Sequence, residues 1–130
     1  MGRIKISDNF YRDEFRCLCG CGFDAVDKEL LEVVEDVREH FNSPVFIVQL
    51  DLPRSRNGSA CRCLPHNRSI GSNDSSMHVR GKAADIKVDD VSPTLVYEYL
   101  IERYPEKYGI GLYLTFVHID VRESKARWGN

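Results

Sequence analysis

The stretch Ser76-Met-His-Val-Arg-Gly-Lys-Ala-Ala-Asp-Ile-Lys-Val88 decides the fold, because an irregular segment turns into a buried strand within it. Residues 83–88 are mainly apolar and predict that strand. Gly81 and the two alanines leave room for a neighbouring backbone to approach closely. His78 is therefore expected at the edge of a loop and Asp85 on the strand that follows. An imidazole and a carboxylate can then meet at one point.

A second stretch, Phe116-Val-His-Ile-Asp-Val-Arg122, predicts a strand with one polar face. Because successive side chains of a strand point to opposite faces, His118, Asp120 and Arg122 share one of them. The polar face is predicted to point toward a site. The opposite face is predicted to contact the core and carries Val117, Ile119 and Val121.

The two histidines and Asp85 are the residue types of a catalytic zinc site. Such a set leaves the fourth tetrahedral position for water and lowers the pKa of that water to roughly 7. A lone histidine is more often a surface or core residue than a ligand. The assignment of Zn²⁺ to His78, Asp85 and His118 therefore depends on all three occurring in matching contexts.

The remaining elements follow from hydrophobic periodicity and helix-end signals. Asp27 is a predicted N-cap, and Ser92-Pro93 is typical of a helix start. The order of elements predicts a single α+β domain over residues 1–130, with helices packed against a mainly antiparallel sheet. The predicted helices cover residues 28–41 and 93–104, and the predicted strands cover residues 45–50, 83–88, 109–114 and 116–122.

Composition and charge limit the classes of function. A chain of 130 residues fits one domain. The formal net charge of −2 creates no field that would draw the protein to nucleic acid or an anionic membrane, so neither partner is expected. The first ten residues include Arg3, Lys5 and Asp8 without an apolar run, so we expect no signal peptide and synthesis as a soluble cytoplasmic protein. A monomer is expected.

The five cysteines, at positions 17, 19, 21, 61 and 63, are an odd number and cannot all pair within one chain. In a reducing compartment they are expected to remain thiols or to bind metal. The run Cys17-Leu-Cys-Gly-Cys-Gly22 could bind a structural zinc together with Cys61 or Cys63, although zinc knuckles usually separate their cysteines by two to four residues. We favour packed thiols in a glycine-rich turn.

These residues and several others give the sequence a resemblance to a known family. The pattern Ser-x-His-x-x-Gly-x-Ala-x-Asp-Ile at residues 76–86, followed by Val-His-Ile-Asp-Val-Arg at residues 117–122, is similar to the zinc D-Ala-D-Ala carboxypeptidases. The fold of that family is shared with hedgehog signalling domains. Residues 15–23, 37–41, 61–68 and 126–128 also resemble the small, phage-type members, so the resemblance covers most of the chain.

The resemblance implies a hedgehog-like or DD-peptidase-like fold with Zn²⁺ at His78, Asp85 and His118. It implies hydrolysis of peptidoglycan stem peptides by a carboxypeptidase or an endolysin-type endopeptidase. The protein would act on the cell wall after release or phage delivery. Arg62 is implied to contact the substrate's carbonyl or terminal carboxylate, since its guanidinium presents several fixed donors. The alternative for Arg62 is a solvated loop charge.

Four further residues have expected roles. Ser76 is a candidate for substrate contact. Tyr113 could donate a hydrogen bond to the oxyanion, although tyrosines near strand ends are commonly only packed. His66 and Asn67 are expected to be structural or pocket-edge groups rather than catalysts.

One departure from the family concerns the general base. Many relatives place an Asp or Glu three residues before the last zinc histidine, and here that residue is Thr115. Asp120 is the substitute candidate, because it shares a strand face with His118. An equally weighted alternative is that Asp120 only orients a ligand.

The other departure lies in the predicted long loop of residues 51–77, which shows no hydrophobic period. Relatives pass directly from the strand before it into a Ser-Gly-x-Arg turn, whereas here residues 49–57 are interposed and predict a flap or rim. Loops of this length are usually functional. With Thr115, these departures leave open a zinc-containing cell-wall-binding or phage structural module without turnover.

Overall fold

The computed structural model describes residues 4–17, 26–48, 65, 67 and 76–129. Two α-helices lie within these ranges, α1 (Lys28–Phe41) and α2 (Pro93–Arg103). Short 3-10 helices cover Arg12–Phe15 and Met77–Arg80. The strands are β1 (Val45–Ile47), β2 (Ala83–Val88), β3 (Gly109–Leu112), β4 (Val117–Asp120) and β5 (Ala126–Trp128).

Helix α1 begins and ends where the sequence predicts. The Asp27 side chain accepts a hydrogen bond from the Glu29 backbone N–H at 2.8 Å, which satisfies one of the donors left open at a helix start. Asn42 follows the last turn in the left-handed region at φ 49° and closes the helix. The residues that face the sheet are buried, and they are Leu30, Val33, Val34 and Val37.

The predicted start of helix α2 is also confirmed. The Ser92 hydroxyl accepts from the Leu95 backbone N–H at 3.4 Å, and Pro93 occupies the first helical position, where no N–H is needed. Of the predicted inward residues, Val96, Tyr97 and Leu100 are buried, whereas Ile101 is only partly buried.

The five strands form one sheet in the order β1-β2-β4-β3-β5. All neighbours are antiparallel except β3 and β5, which are parallel. The predicted α+β fold with a mainly antiparallel sheet is therefore confirmed. In its register Asp85 lies opposite His118, His118 opposite Gly111, and Gly111 opposite Trp128, so one row of residues crosses four strands.

The two faces of the sheet have different roles. The face toward the helices carries the fully buried side chains of Ile86, Ile110, Val117 and Ile119, which form the core with α1 and α2. The opposite face carries Asp85, His118 and Asp120. This is the alternation that the sequence predicted for β4.

Three features of the fold differ from the predictions. Strands β1, β3 and β4 are shorter than expected at their described ends, and β5 was not predicted because three half-buried residues carry too short a pattern. Within the predicted loop of residues 51–77, Pro65 and Asn67 are helical and Met77 begins a 3-10 helix. The remaining residues of that loop, including 49–57, lie outside the described residues.

A search of the described residues finds no helix that is both long enough and apolar enough to cross a membrane.

Replacing Ile119 by alanine should lower the free energy of unfolding by about 2 to 5 kcal/mol, because the fully buried side chain leaves a cavity between sheet and helices. Urea unfolding followed by circular dichroism measures the loss. Leu95→Ala is the control, since Leu95 is 53% exposed and its loss should change stability by about 0.5 kcal/mol or less. Equal losses for the two variants would contradict this assignment of the core.

Candidate metal centre

His78 is positioned by a short 3-10 helix that ends at a glycine. The Ser76 hydroxyl accepts from the His78 backbone N–H at 3.3 Å and caps the start of Met77–Arg80. Gly81 adopts a left-handed conformation at φ 67°, which costs a non-glycine residue about 1 to 2 kcal/mol, and turns the chain into β2. The His78 side chain is thereby directed to the start of the polar sheet face.

Three potential ligands meet on that face. His118 Nδ1 lies 3.0 Å from Asp85 Oδ1, and His78 Nε2 lies 3.7 Å from the same oxygen. One donor atom from each residue lies within 4.8 Å of the other two. His78 and Asp85 are buried, and the His118 side chain is 12% exposed. The structure thus brings together residues that are 7 and 33 positions apart in the sequence.

The donor set fits a zinc ion. Two imidazole nitrogens and one carboxylate oxygen are the ligand types of catalytic zinc sites, and bonds of about 2.0 to 2.1 Å separate tetrahedral ligands by about 3.3 Å. The distances of 3.0 and 3.7 Å to Asp85 Oδ1 lie on either side of that value. His78, Asp85 and His118 are therefore suited to hold the metal.

Asp120 lies behind His118 and is fully buried. Its Oδ2 lies 2.8 Å from His118 Nε2 and accepts from Arg122 Nη2 at 2.7 Å, while Oδ1 accepts from Arg122 Nε at 2.7 Å. The Gly109 backbone N–H adds a further bond to Oδ1 at 3.2 Å. A side chain at Gly109 would overlap the carboxylate, so this position requires glycine.

The contacts shift the pKa of both partners. Burial lowers the pKa of the His118 ring, but its hydrogen bonds to Asp120 and Asp85 outweigh burial and raise the pKa from 6.5 to about 8. Burial raises the pKa of Asp120, yet hydrogen bonds from His118 and Arg122 hold it well below its ordinary value. Asp120 therefore remains ionised at neutral pH and accepts a hydrogen bond from the protonated Nε2 of His118. When the ring loses its second proton, the Nδ1 lone pair faces Asp85 and the potential metal position.

A family model described as Peptidase M15 matches residues 8–120, which include the three potential ligands and the Asp120 carboxylate. The chain belongs to the peptidase M15 family. This is the family of the zinc D-Ala-D-Ala carboxypeptidases, so the resemblance seen in the sequence is confirmed. Searches among curated proteins and solved structures gave no significant match.

One aromatic residue lies beside a potential ligand and contacts a second aromatic residue. Trp128 places its ring centroid 5.1 Å from that of His118 and donates from Nε1 to the Tyr113 hydroxyl at 3.0 Å. Tyr113, predicted as a substrate-binding residue, thus contacts Trp128 on the sheet face that carries the potential ligands. Sequence reasoning did not assign Trp128 to the site, because nothing local indicates that the tail returns to β3. The one available signal for a role of Trp128 was that it is the only tryptophan in the sequence.

Other predicted residues are placed as follows. Ser76 caps the 3-10 helix, and its predicted substrate contact remains a prediction. Thr115 is exposed in the turn between β3 and β4. Asn67 is fully buried, which agrees with a structural role, and Cys17 is buried as a packed thiol would be. The residues that lie outside the described part of the chain are Arg62, His66, Cys19, Cys21, Cys61 and Cys63.

In the metal-free protein the His118 ring should titrate at about pH 8. Because this pKa exceeds the ordinary value of 6.5, the ion pairs of His118 stabilise the fold fully below pH 6.5, and that stability is lost as pH rises through about 8. Histidine NMR signals measured against pH, with His118→Gln for assignment, report the midpoint. Asp120→Asn should lower it, since a neutral amide attracts the imidazolium less. A midpoint at or below 6.5 in the parent protein would disprove the pairing.

Proposed function

We propose that this protein is a zinc-dependent peptidase that hydrolyses peptide bonds in the stem peptides of peptidoglycan. The observation that carries the proposal is the buried set of His78, Asp85 and His118 in a chain of the M15 family. Carboxypeptidase action on a terminal D-alanine and endopeptidase action within the stem are both compatible with this site. Either activity would take place at the cell wall.

His78 would hold the metal through Nε2, Asp85 through Oδ1 and His118 through Nδ1. When bound, a zinc ion supplies Lewis-acid chemistry: it polarises a carbonyl oxygen and lowers the pKa of a water to about 7. The protein's own contribution is to fix the three donors in a largely buried site. Arg62, outside the described residues, is proposed to bind a substrate oxygen with its guanidinium.

The contacts of Asp120 support the orienting role rather than that of general base. Both of its oxygens are engaged, and the residue is fully buried. A base must reach the proton that it removes, and the contacts of Asp120 direct it to His118 and Arg122 instead. By accepting from His118 Nε2, Asp120 fixes the tautomer that leaves Nδ1 as an electron-pair donor.

A second candidate is a zinc-containing cell-wall-binding module without turnover. Thr115 favours it, because this exposed hydroxyl stands where many relatives carry an acid. Among the described residues at the centre, the carboxylates of Asp85 and Asp120 both contact histidines. The two candidates differ in turnover and not in metal content.

Zinc content and peptide hydrolysis should be lost together in His78→Ala and His118→Ala. Metal analysis after dialysis measures zinc, and release of D-alanine or of cleaved fragments from a synthetic stem pentapeptide measures hydrolysis. His40→Ala is the matched control, since this exposed histidine stacks on Tyr99 in α2 at 3.7 Å and should leave both quantities unchanged.

Undiminished zinc affinity in His118→Ala would refute the ligand assignment. A parent protein that holds zinc and binds the pentapeptide without cleaving it would establish the binding module instead. Turnover gained by Thr115→Asp would give the reason, because the substitution restores a carboxylate at the position where relatives carry one.

Asp120→Asn should weaken zinc binding by roughly 10- to 100-fold, because the amide holds His118 less firmly than the carboxylate does. At saturating zinc most of the peptidase activity should return. Activity measured against zinc concentration separates the two roles of Asp120. Activity that stays absent when zinc is saturating would assign the general base to Asp120.

A further inference from the structure

Three aromatic side chains form a wall beside the metal centre, and we call Trp128, Tyr113 and Phe116 the aromatic wall. By strand alternation Tyr113 continues the face of Gly111 beyond the end of β3, and Phe116, which directly precedes β4, lies on the same face as His118. Trp128 joins them because β5 pairs in parallel with β3 and places it opposite Gly111. The wall thus stands on the face that carries the potential ligands.

Gly111 explains how the indole reaches the ligand. It lies between His118 and Trp128 in the same row of the sheet. A side chain at this position would overlap the Trp128 indole. Without one, the indole lies over the β3 backbone and its ring centroid comes within 5.1 Å of that of His118. The Arg122 guanidinium, which binds Asp120, lies 5.4 Å from the same indole.

The direction of the hydrogen bond between Trp128 and Tyr113 is fixed by chemistry. An indole N–H can only donate, so the Tyr113 oxygen is the acceptor in the 3.0 Å contact. The phenol keeps its own proton for another partner. Among the described residues, the Tyr113 hydroxyl donates no hydrogen bond to an acceptor. Tyr113 is 42% exposed, so its hydroxyl is accessible to a ligand.

The Tyr113 ring also has an aromatic contact. Phe116 stacks on it with a centroid distance of 4.5 Å and an interplanar angle of 10°. A ring fixed by stacking and a hydroxyl fixed by an indole N–H leave little freedom to the phenol. Fixed donors of this kind stabilise developing negative charge at small reorganisation cost.

We propose that Trp128 is a positioning residue of the metal centre, which holds the Tyr113 hydroxyl so that it donates to a carbonyl oxygen of the bound peptide. The inference rests on the proposed function, since it names the part of the peptide that Tyr113 recognises. Trp128 acts through Tyr113 and does not itself bind the reacting atoms. A Trp128 that only covered the sheet edge would act independently of the Tyr113 hydroxyl.

The test compares the zinc-loaded parent with Trp128→Phe, Tyr113→Phe and the double variant on a synthetic stem pentapeptide. Tyr113→Phe should lower kcat on the order of 100-fold, the effect of losing one oxyanion donor. Trp128→Phe should lower kcat by roughly 10- to 100-fold, because the donor is misplaced. The double variant should be no slower than Tyr113→Phe. Losses that multiply would overturn the positioning role.

A binding measurement makes the test independent of turnover. Trp128 is the only tryptophan, so its emission reports on the wall directly. Stopped-flow mixing of the zinc-loaded parent with the pentapeptide should change this emission before product forms. Tyr113→Phe should weaken the apparent affinity by roughly tenfold, about the value of one hydrogen bond. Tyr99→Phe is the matched control, since the Tyr99 hydroxyl bonds Asp36 of α1 on the opposite side of the sheet.

Trp128→His keeps a ring N–H donor and should recover part of the rate lost in Trp128→Phe. If Trp128→Phe fails to fold, as judged by circular dichroism, Tyr113→Phe decides through its kcat and the emission change. If Tyr113→Phe leaves peptide turnover intact and the Trp128 emission does not respond to peptide, the inference is overturned. The proposed peptidase function is then unaffected. An emission change weakened by Tyr113→Phe without any turnover supports the inference and overturns the peptidase. If the parent protein shows neither turnover nor an emission change, both the inference and the proposed peptidase function are overturned.

Discussion

The antiparallel pairing of β2 with β4, in the register that sets Asp85 opposite His118, is the constraint on which the rest of the site depends. A strand that slipped by one residue would turn these side chains into the core and bring apolar ones to the outer face. The apolar residues prevent this slip, because Ile86, Val117 and Ile119 must pack under the helices. Burial of apolar side chains on one face of the sheet thus sets the geometry of the polar residues on the other face.

Alternating charge explains why so polar a face is stable. Arg122 pairs with Asp120, Asp120 with His118, and His118 with Asp85, so each member of this series has a neighbour that can carry the opposite charge. Removing one member would leave a buried charge uncompensated, at a cost of several kcal/mol. In the metal-free state a proton on His118 supplies the positive charge, and a divalent cation bound between His118 and Asp85 would replace it. Metal binding and protonation therefore compete for the same place in the series.

Glycines and aromatic residues shape the rest of the face. Gly109 gives space to the Asp120 carboxylate and Gly111 gives space to the Trp128 indole. Because these glycines have no side chain, both groups can lie directly against the sheet. None of the three potential ligands lies on α1 or α2. The helices bury the opposite face of the sheet and so hold β2, β3 and β4 in register, which fixes the spacing between potential ligands that come from distant parts of the chain.

Much of this was determined by the sequence alone. The N-caps of both helices, the alternation in β4 and the three candidate ligands follow from local patterns, because caps and strand faces depend on neighbouring residues. Tertiary structure alone decided the partners of Asp120 and the position of Trp128. The sequence left open whether this carboxylate faces water, a ligand or other side chains, and only the tertiary structure shows it buried against Arg122 and His118. Trp128 reaches His118 through a three-residue parallel pairing with β3, a long-range contact for which no periodicity exists in the sequence.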